Sequence, residues 1–377
     1  MEKFDVVIIG AGSAGIMLAR ELGKLKHKTL VLDRKTNLLE FSFNTLGSFI
    51  NLDDFGLTKN VVAQEIDTCV FYSKHIKRKV KAEKENYENI SAYILDKKKL
   101  HEEIINSIDT EFVDFQLDTH IKSFSKDDEG NYTALIDKNN NSYSGKIFVD
   151  ASGTNAVISK QIGLRPKNVQ LATGVEYNVK YFGKPNEIHL MVGKIYQGGY
   201  GWVFPLQNQR AIIGFGSFDN HVIKELKNRL NLILEIPKIK KLVEKDNEKV
   251  EGGSIPLTPV LDKFIDKNLI CVGDSVSQVN PIVGEGYKFI FEAAVFAVKA
   301  IDKALNSDDL EQLSIYEKAW KARFFENYKR SKKSQDKLFR YSKKDYLMDF
   351  GLLLMRLRSN ERMITSLSGE YGLENKV

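Results

Sequence analysis

The residues best suited to chemistry in this chain of 377 residues form two glycine-rich constellations. The first is Gly10-Ala11-Gly12-Ser13-Ala14-Gly15, with the spacing G-x-G-x-x-G. Alone such a run is a weak signal. Here it follows Phe4 to Ile9, a short β-branched run that reads as a buried parallel strand. It opens a helix expected from about Ser13 to Lys26, with Leu18, Leu22 and Leu25 on one face. A second buried strand, Thr29 to Leu32, ends at Asp33, 18 residues past Gly15. In this βαβ context each residue type has its own role. Gly10 permits the tight turn, Gly12 lets the backbone approach a pyrophosphate, and Gly15 lets helix and strand pack closely. The helix N-terminus favours phosphate charge, and Asp33 accepts hydrogen bonds from ribose hydroxyls.

The second constellation is Ile270-Cys271-Val272-Gly273-Asp274-Ser275 followed by Asn280-Pro281-Ile282-Val283-Gly284-Glu285-Gly286. A strand ending in Gly-Asp places a carboxylate beside a ribityl chain. The Pro-x-x-Gly-x-Gly turn opens a helix whose backbone N–H groups suit the pyrimidine edge of a flavin, where reduction adds negative charge. The pair points to FAD rather than NAD, held without a covalent bond.

Other elements must position these loops. A helix is expected from about Lys97 to Ile108, and one or two strands between Glu65 and Glu83. Runs near 119–125, 131–137 and 143–149 are joined by turns rich in Asp, Asn and Gly, and read as an antiparallel meander. Its last strand, Lys146 to Val149, is placed to rejoin the parallel sheet and end at Asp150-Ala151-Ser152-Gly153. From about Val169 to Phe218 most runs are strand-like. Helices are expected near 220–235 and 237–245, a strand ending at Pro256, another from Leu269 to Val272, and helices from Glu285 onward. The fold expected is α/β: a Rossmann-type FAD-binding domain, discontinuous over 1–168 and 250–305, with an antiparallel β-sheet substrate domain inserted at 169–249 and a C-terminal helical segment at 306–377.

Composition is that of a soluble globular chain, 42% hydrophobic and 28% charged. No apolar run is long enough to span a membrane, and no signal peptide is visible. Two cysteines, Cys69 and Cys271, stand apart, which fits a reducing, cytoplasmic setting and gives no disulfide framework. Six scattered histidines give no metal-ligand spacing.

Gly10–Gly15, Asp150–Gly153 and Gly273–Gly286 together resemble the flavoprotein group that contains p-hydroxybenzoate hydroxylase. Within that group, Gly198-Gly199-Tyr200-Gly201-Trp202-Val203-Phe204-Pro205 resembles the Tyr-x-Trp-x-Phe-Pro motif of the geranylgeranyl reductases, and Gly253-Ser254-Ile255-Pro256 is also similar to that family. The resemblance spans residues 1 to about 300. It implies FAD, a hydrophobic tunnel for a prenyl tail, and saturation of the tail's double bonds by an FAD-dependent oxidoreductase of lipid biosynthesis. Electrons would come from NAD(P)H or a separate donor protein, because only one dinucleotide motif is visible. The candidate cofactor-binding residues are Gly10, Gly12, Ser13, Ala14, Gly15, Asp33, Arg34, Gly47, Lys97, Gly153, Gly273, Asp274, Pro281, Gly284, Gly286 and Tyr287. The candidate substrate-binding residues are Tyr200, Trp202, Phe204 and Pro205. No catalytic acid is identifiable, and no metal is expected.

The chain departs from that family in three places. Asp33 stands where the family usually has Glu, and Lys97 where it usually has Arg, keeping the charge but not the planar fork. The stretch Phe43-Asn44-Thr45-Leu46-Gly47-Ser48 lacks the cysteine that many members carry.

Several alternatives stay open. Tyr200, Trp202 and Phe204 alternate, so on a strand they share one face; that face either lines a tunnel or packs a sheet core. An aromatic monooxygenase or halogenase could use the same scaffold, the latter with a dedicated lysine such as Lys74, Lys77 or Lys79. A redox-neutral flavin-bound cyclase is a second rival, and the stretch Gly47 to Leu57, with Asp53 and Asp54, faintly resembles lycopene cyclases; a non-catalytic flavin or lipid carrier is a third. Residues 318–344 hold eleven Lys/Arg against Glu326 and Asp336, a local charge of +9 in a chain of net +6. This segment either meets an anionic membrane surface, with the apolar run through Met355 beside it across 318–357, or packs as helices on the core with its lysines solvated. No nucleic-acid-binding fold is visible.

Overall fold

The computed structural model of the chain describes residues 4–81 and 92–370. Its first layer is a parallel sheet in the order Val113–Gln116, Thr29–Leu32, Phe4–Ile9, Ser142–Asp150 and Leu269–Cys271, with Ile265–Asp266 antiparallel at one edge. Val6, Val7, Ile8, Val31 and Phe148 are completely buried. This is why their β-branched, uninterrupted runs carry no polar alternation: both faces are covered. The helix Ser13–Lys24 and the long helix Tyr287–Ser307 pack together on this sheet.

Ser142–Asp150 belongs to two sheets. Residues 142–144 pair antiparallel with Tyr132–Asp137, which pairs in turn with Ile121–Lys126, while 145–150 run parallel to the first strand. The meander therefore rejoins the parallel sheet as its sequence suggests, and delivers Asp150 to the edge of the phosphate loop.

The second layer is an antiparallel sheet: Val243–Glu244, Ala172–Tyr181, Arg210–Ser217, Gly199–Leu206, Glu187–Met191, Thr68–Tyr72 and Lys77–Lys81. Glu251–Ile255 pairs with the first half of Ala172–Tyr181. The sheet thus draws strands from outside the expected 169–249 segment. Thr68–Tyr72 joins it parallel to Glu187–Met191, a long-range pairing that local pattern cannot reveal. The strands expected between Glu65 and Glu83 are Val62–Ile66, Thr68–Tyr72 and Lys77–Lys81; residues 82 and 83 lie outside the described residues. A small sheet of Thr45–Ser48, Ala92–Asp96 and Val62–Ile66 connects the layers.

The helix expected over 237–245 is shorter. Pro237–Lys240 is helical, but Val243–Glu244 pairs with Tyr181 and Lys180 at the sheet edge instead. The C-terminal helices split the expected basic segment. Trp320, Phe324 and Tyr328 are buried against Phe289 of the long helix. Farther on, Tyr346, Phe350, Leu353, Leu354 and Leu357 are exposed. Residues 371–377 of the expected helical segment lie outside the described residues. No described helix is long and apolar enough to cross a membrane.

Candidate functional site

The phosphate loop has the geometry its glycines imply. Gly10 sits at φ +97°, and a Cβ there would come 2.4 Å from the Ala151 carbonyl oxygen. A Cβ on Gly15 would lie 1.8 Å from the Gly10 carbonyl oxygen, so helix and loop are in backbone contact. At Gly12 a Cβ would meet nothing within 4 Å. The loop is therefore open at the one glycine expected to admit a ligand. Gly12 caps the helix without any side-chain acceptor on the first-turn N–H groups. Those donors suit a phosphate.

Asp33 turns back onto this loop. Its carboxylate accepts from Ala11 N at 2.6 Å and from Lys35 N at 2.8 Å, which fixes its direction. Arg34 beside it is exposed. Ser13 is hydrogen-bonded to Tyr287, whose hydroxyl also meets His101 Nε2 at 3.0 Å. Ala14 is buried against the Gly273 turn. Burial pushes His101 down to about 3, which favours its neutral form.

Gly153 and Gly273 both adopt positive φ, +64° and +76°, which explains the Ser-Gly and Gly-Asp endings of their strands. Asp150 organises its own loop, accepting from Ser152 N, Ile158 N and Ser159 N at 2.8–3.0 Å. Arg165 braces two turns, donating to the carbonyls of Thr154 and Asp274. Nothing near it in sequence announces this buried arginine. Asp274 is half-buried as a residue, yet its Oδ1 is cut off from solvent with no hydrogen-bond partner among the described residues. Desolvation pushes its carboxyl up to about 6, against the opposing pull of Arg165 and Lys97. Lys97 lies over the rings of Phe41 and Phe43 at 4.6 and 4.4 Å, and desolvation pulls it down to about 8.

Gly284 takes φ +69°, and Gly286 begins the helix Tyr287–Ser307, again with no side-chain cap. Between them, Glu285 is held by Ser48 Oγ and by Phe49 N at 3.0 Å. Its Oε2 is buried and unpartnered, and burial pushes it up to about 7. An open phosphate loop, two uncapped helix starts and an unsatisfied carboxyl at Asp274 together fit a flavin dinucleotide. Such a ligand would satisfy these groups with its phosphates, its ribityl hydroxyls and the edge of its ring.

Beside this cradle lies an apolar cavity. The flavin-side loops contribute Phe43, Gly47, Pro281 and Gly284; the antiparallel sheet contributes Gly174, Glu176, Tyr200, Trp202, Phe204 and Gly216; the C-terminal helix adds Leu338 and Phe339. The register of the sheet shapes this wall. Tyr200, Gly216, Gly174 and Gly253 are successive partners across four strands, so three glycines in a row let aromatic rings lie close over the backbone: a Cβ would come 3.4 Å from the Trp202 ring at Gly216, 3.1 Å from it at Gly174 and 2.8 Å from the Phe43 ring at Gly253. In the next row Trp202, Gly214, Glu176 and Glu251 are partners. With no side chain on Gly214, the Trp202 indole lies across it. A Cβ there would come 2.3 Å from the ring. The indole then reaches Glu176, donating from Nε1 to Oε2 at 3.2 Å.

Tyr200, Trp202 and Phe204 form a continuous aromatic wall, with centroid separations of 5.9 and 6.2 Å. They line the cavity rather than filling a closed core. Tyr200 also ties the wall to the flavin-side turn through a 2.6 Å bond to the Val283 carbonyl. Pro205, expected among the substrate contacts, does not line the cavity. It is buried on the opposite face, where Val203 packs with Leu226, Leu230 and Ile233. The strand's period of two sends it there.

The residues suggested for the rival chemistries lie elsewhere. Lys74 pairs with Asp345, Lys79 pairs with Glu187, and Lys77 stays at the far hairpin. Asp53 and Asp54 are exposed in a short turn. None of them lines the cavity. Among the described residues no cluster of His, Cys, Asp and Glu could hold a metal ion. Sequence reasoning missed Glu176 and Glu285, because a lone Glu in a strand or turn carries no signal until its burial is known.

Comparison with known proteins adds four findings. The family model described as lycopene cyclase protein matches residues 5–358. A protein of Thermoplasma volcanium named digeranylgeranylglycerophospholipid reductase is 26% identical over 388 residues, covering 98% of this chain and 95% of that protein. Among solved structures, a geranylgeranyl bacteriochlorophyll reductase-like protein from Thermoplasma acidophilum shares the fold with TM-score 0.83 and 22% identity, covering 100% of both chains. A protein of Pseudomonas aeruginosa described as a probable FAD-dependent monooxygenase follows at TM-score 0.74 and 18% identity, over 93% of this chain and 100% of that one.

Proposed function

The chain belongs to the lycopene cyclase protein family, and on that premise we propose that it is an FAD-dependent reductase that saturates carbon–carbon double bonds in the isoprenoid chain of a prenyl lipid. The observation that carries this reading is the apolar cavity set directly against the flavin cradle and walled by Tyr200, Trp202 and Phe204. The relative named digeranylgeranylglycerophospholipid reductase, which matches along nearly its whole length, supports the same substrate class.

The chain's own residues divide the work. Gly12 and the start of the helix Ser13–Lys24 receive the pyrophosphate; Asp33, already aimed by Ala11 N, keeps lone pairs for a ribose hydroxyl. Asp274 offers a desolvated carboxyl to the ribityl hydroxyls. In the turn Pro281–Gly286 the N–H groups of Ile282, Val283 and Gly284 are donated to Asn280, which leaves those of Glu285 and Gly286 for the ring edge. A bound, reduced FAD would supply the hydride for one carbon of the alkene. The cavity excludes water and takes the methyl-branched chain against its aromatic wall, where apolar contacts replace hydration. Electrons reach the flavin from NAD(P)H or from a separate donor protein. A peripheral membrane contact through residues 318–357 would bring lipid to the cavity. In its support, exposed Tyr346, Phe350, Leu353, Leu354 and Leu357 stand beside Lys343, Lys344, Arg356 and Arg358, and Leu338 and Phe339 of the same segment line the cavity.

The test is anaerobic. Protein reduced with dithionite is mixed with a digeranylgeranyl glycerophospholipid and the product is weighed by mass spectrometry. The expected product gains two mass units for each double bond saturated. A rearranged product of unchanged mass would instead support a redox-neutral cyclase, the chemistry after which the matching family model is named.

A further inference from the structure

Saturating an isolated alkene needs a proton as well as a hydride, and the sequence motifs name no donor. The cavity holds two buried carboxyls. Glu285 stands on the cofactor side, in the turn that precedes the long helix, where Ser48 Oγ and Phe49 N both donate to it. Glu176 stands on the opposite wall, in the antiparallel sheet. One of its oxygens accepts from Trp202 Nε1; the other, Oε1, is buried with no partner among the described residues. Tyr200 is committed to the Val283 carbonyl, and Lys97 is stacked over Phe41 and Phe43 outside the cavity lining.

We propose that Glu176 is the proton donor of the reduction. This rests on the reductase reading and assigns the residue that completes it. The alkene lies between the flavin cradle and the sheet. As its π bond breaks, hydride from the reduced flavin forms one C–H bond and the Glu176 proton forms the other. The flavin loses two electrons, Glu176 is left as carboxylate, and water reprotonates it before the next turnover. A carboxyl serves as an acid near neutral pH only if its charged form is disfavoured. The groups facing Glu176 are consistent with that. Burial pushes it up to about 7; Glu251, its register partner on the neighbouring strand, pushes the same way, while Trp202 and Lys97 pull down. Glu251 is itself engaged by Asn44 and Lys249, so it competes for none of Glu176's contacts. The Trp202 bond fixes the carboxyl in direction and leaves Oε1 as the free end.

The test uses full-length protein and its Glu176→Gln and Glu176→Asp variants. Single-turnover oxidation of dithionite-reduced flavin by a digeranylgeranyl glycerophospholipid is followed from pH 5.5 to 8.5. The wild-type rate falls as pH rises through about 7, because the donor must be protonated. Glu176→Gln slows the step by roughly a hundredfold or more, as expected for loss of a general acid, and abolishes that pH limb. Glu176→Asp restores part of the rate. A second readout needs no turnover: tryptophan emission of the flavin-free protein changes near pH 7 in wild type, through the Trp202–Glu176 bond, and stays flat in Glu176→Gln. Wild type that oxidises with the lipid beside a Glu176→Gln variant within threefold of its rate overturns the assignment alone. So does a pH limb that survives in Glu176→Gln and disappears in Glu285→Gln, or a wild-type emission without the transition. Wild type that leaves the lipid unreduced overturns the reductase reading, and the assignment with it.

Discussion

Gly15 and Gly214 are both positions where a Cβ would collide, at 1.8 Å with the Gly10 carbonyl oxygen and at 2.3 Å with the Trp202 indole. The two collisions differ in kind. In the phosphate loop the obstacle is backbone, so helix and strand cannot both stay where they are. In the antiparallel sheet the obstacle is a side chain at a cavity wall. Glycine therefore maintains the fold in one region and shapes a ligand space in the other. Gly12 sits in the first region but behaves like the second, since nothing within 4 Å would oppose its Cβ. A glycine's role is thus read from what its missing side chain would meet.

The largest effect that would break this contrast lies at Gly15. Gly15→Val is expected to destabilise the protein by at least about 3 kcal/mol, the upper range for overpacking a rigid contact. Thermal melting of the flavin-free protein measures it, and a melting temperature within a degree of wild type would make the Gly15 contact as yielding as a side chain.

Gly12→Val sharpens the same contrast from the other side. It should fold with a near-normal melting temperature, because its side chain enters open space. FAD affinity should fall by roughly a hundredfold or more, about 3 kcal/mol, since the backbone can no longer approach the pyrophosphate. Stoichiometric flavin in the purified variant would show that the phosphate loop is misassigned.

Trp202→Ala probes the cavity wall. Loss of a large aromatic contact costs on the order of 3 kcal/mol, which at roughly 1.4 kcal/mol per decade is about a hundredfold in lipid affinity. Flavin content should stay near normal, because the cradle contacts lie elsewhere. A large loss of stability with unchanged lipid affinity per folded molecule would make Trp202 a core residue instead.

The smallest expected effect is at the hinge between the two regions. Tyr200→Phe removes the bond to the Val283 carbonyl and leaves the ring in place. A single hydrogen bond of this kind contributes about 1 kcal/mol. The variant should lower the melting temperature of the flavin-bound protein slightly while retaining most lipid binding.

The amino-acid sequence by itself determined the βαβ core of the parallel sheet and the glycine-rich turns at Gly10–Gly15 and Gly284–Gly286, but not the edge strand Val113–Gln116. Each is a local device: Phe4–Ile9, Gly10–Gly15 and Asp33 lie within one βαβ unit, and the torsion each glycine needs is written in its own residue. It also determined which aromatics share a face, because Tyr200, Trp202 and Phe204 lie on one strand of period two; Pro205, grouped with them as a candidate substrate contact, lies on the opposite face in the structure. What only the tertiary structure decided is the cavity beneath them. Gly174, Gly216 and Gly253 are separated along the chain and become one row only through strand register. Glu176 and Glu285 read as ordinary acids until packing strips away their water, since burial is a property of neighbours that arrive from distant sequence. The C-terminal basic segment divides for the same reason. Phe324 and Tyr328 pack on Phe289 of the long helix and Phe339 packs on Phe218, whereas farther on Met348 and Leu352 are buried but Tyr346, Phe350, Leu353, Leu354 and Leu357 remain exposed.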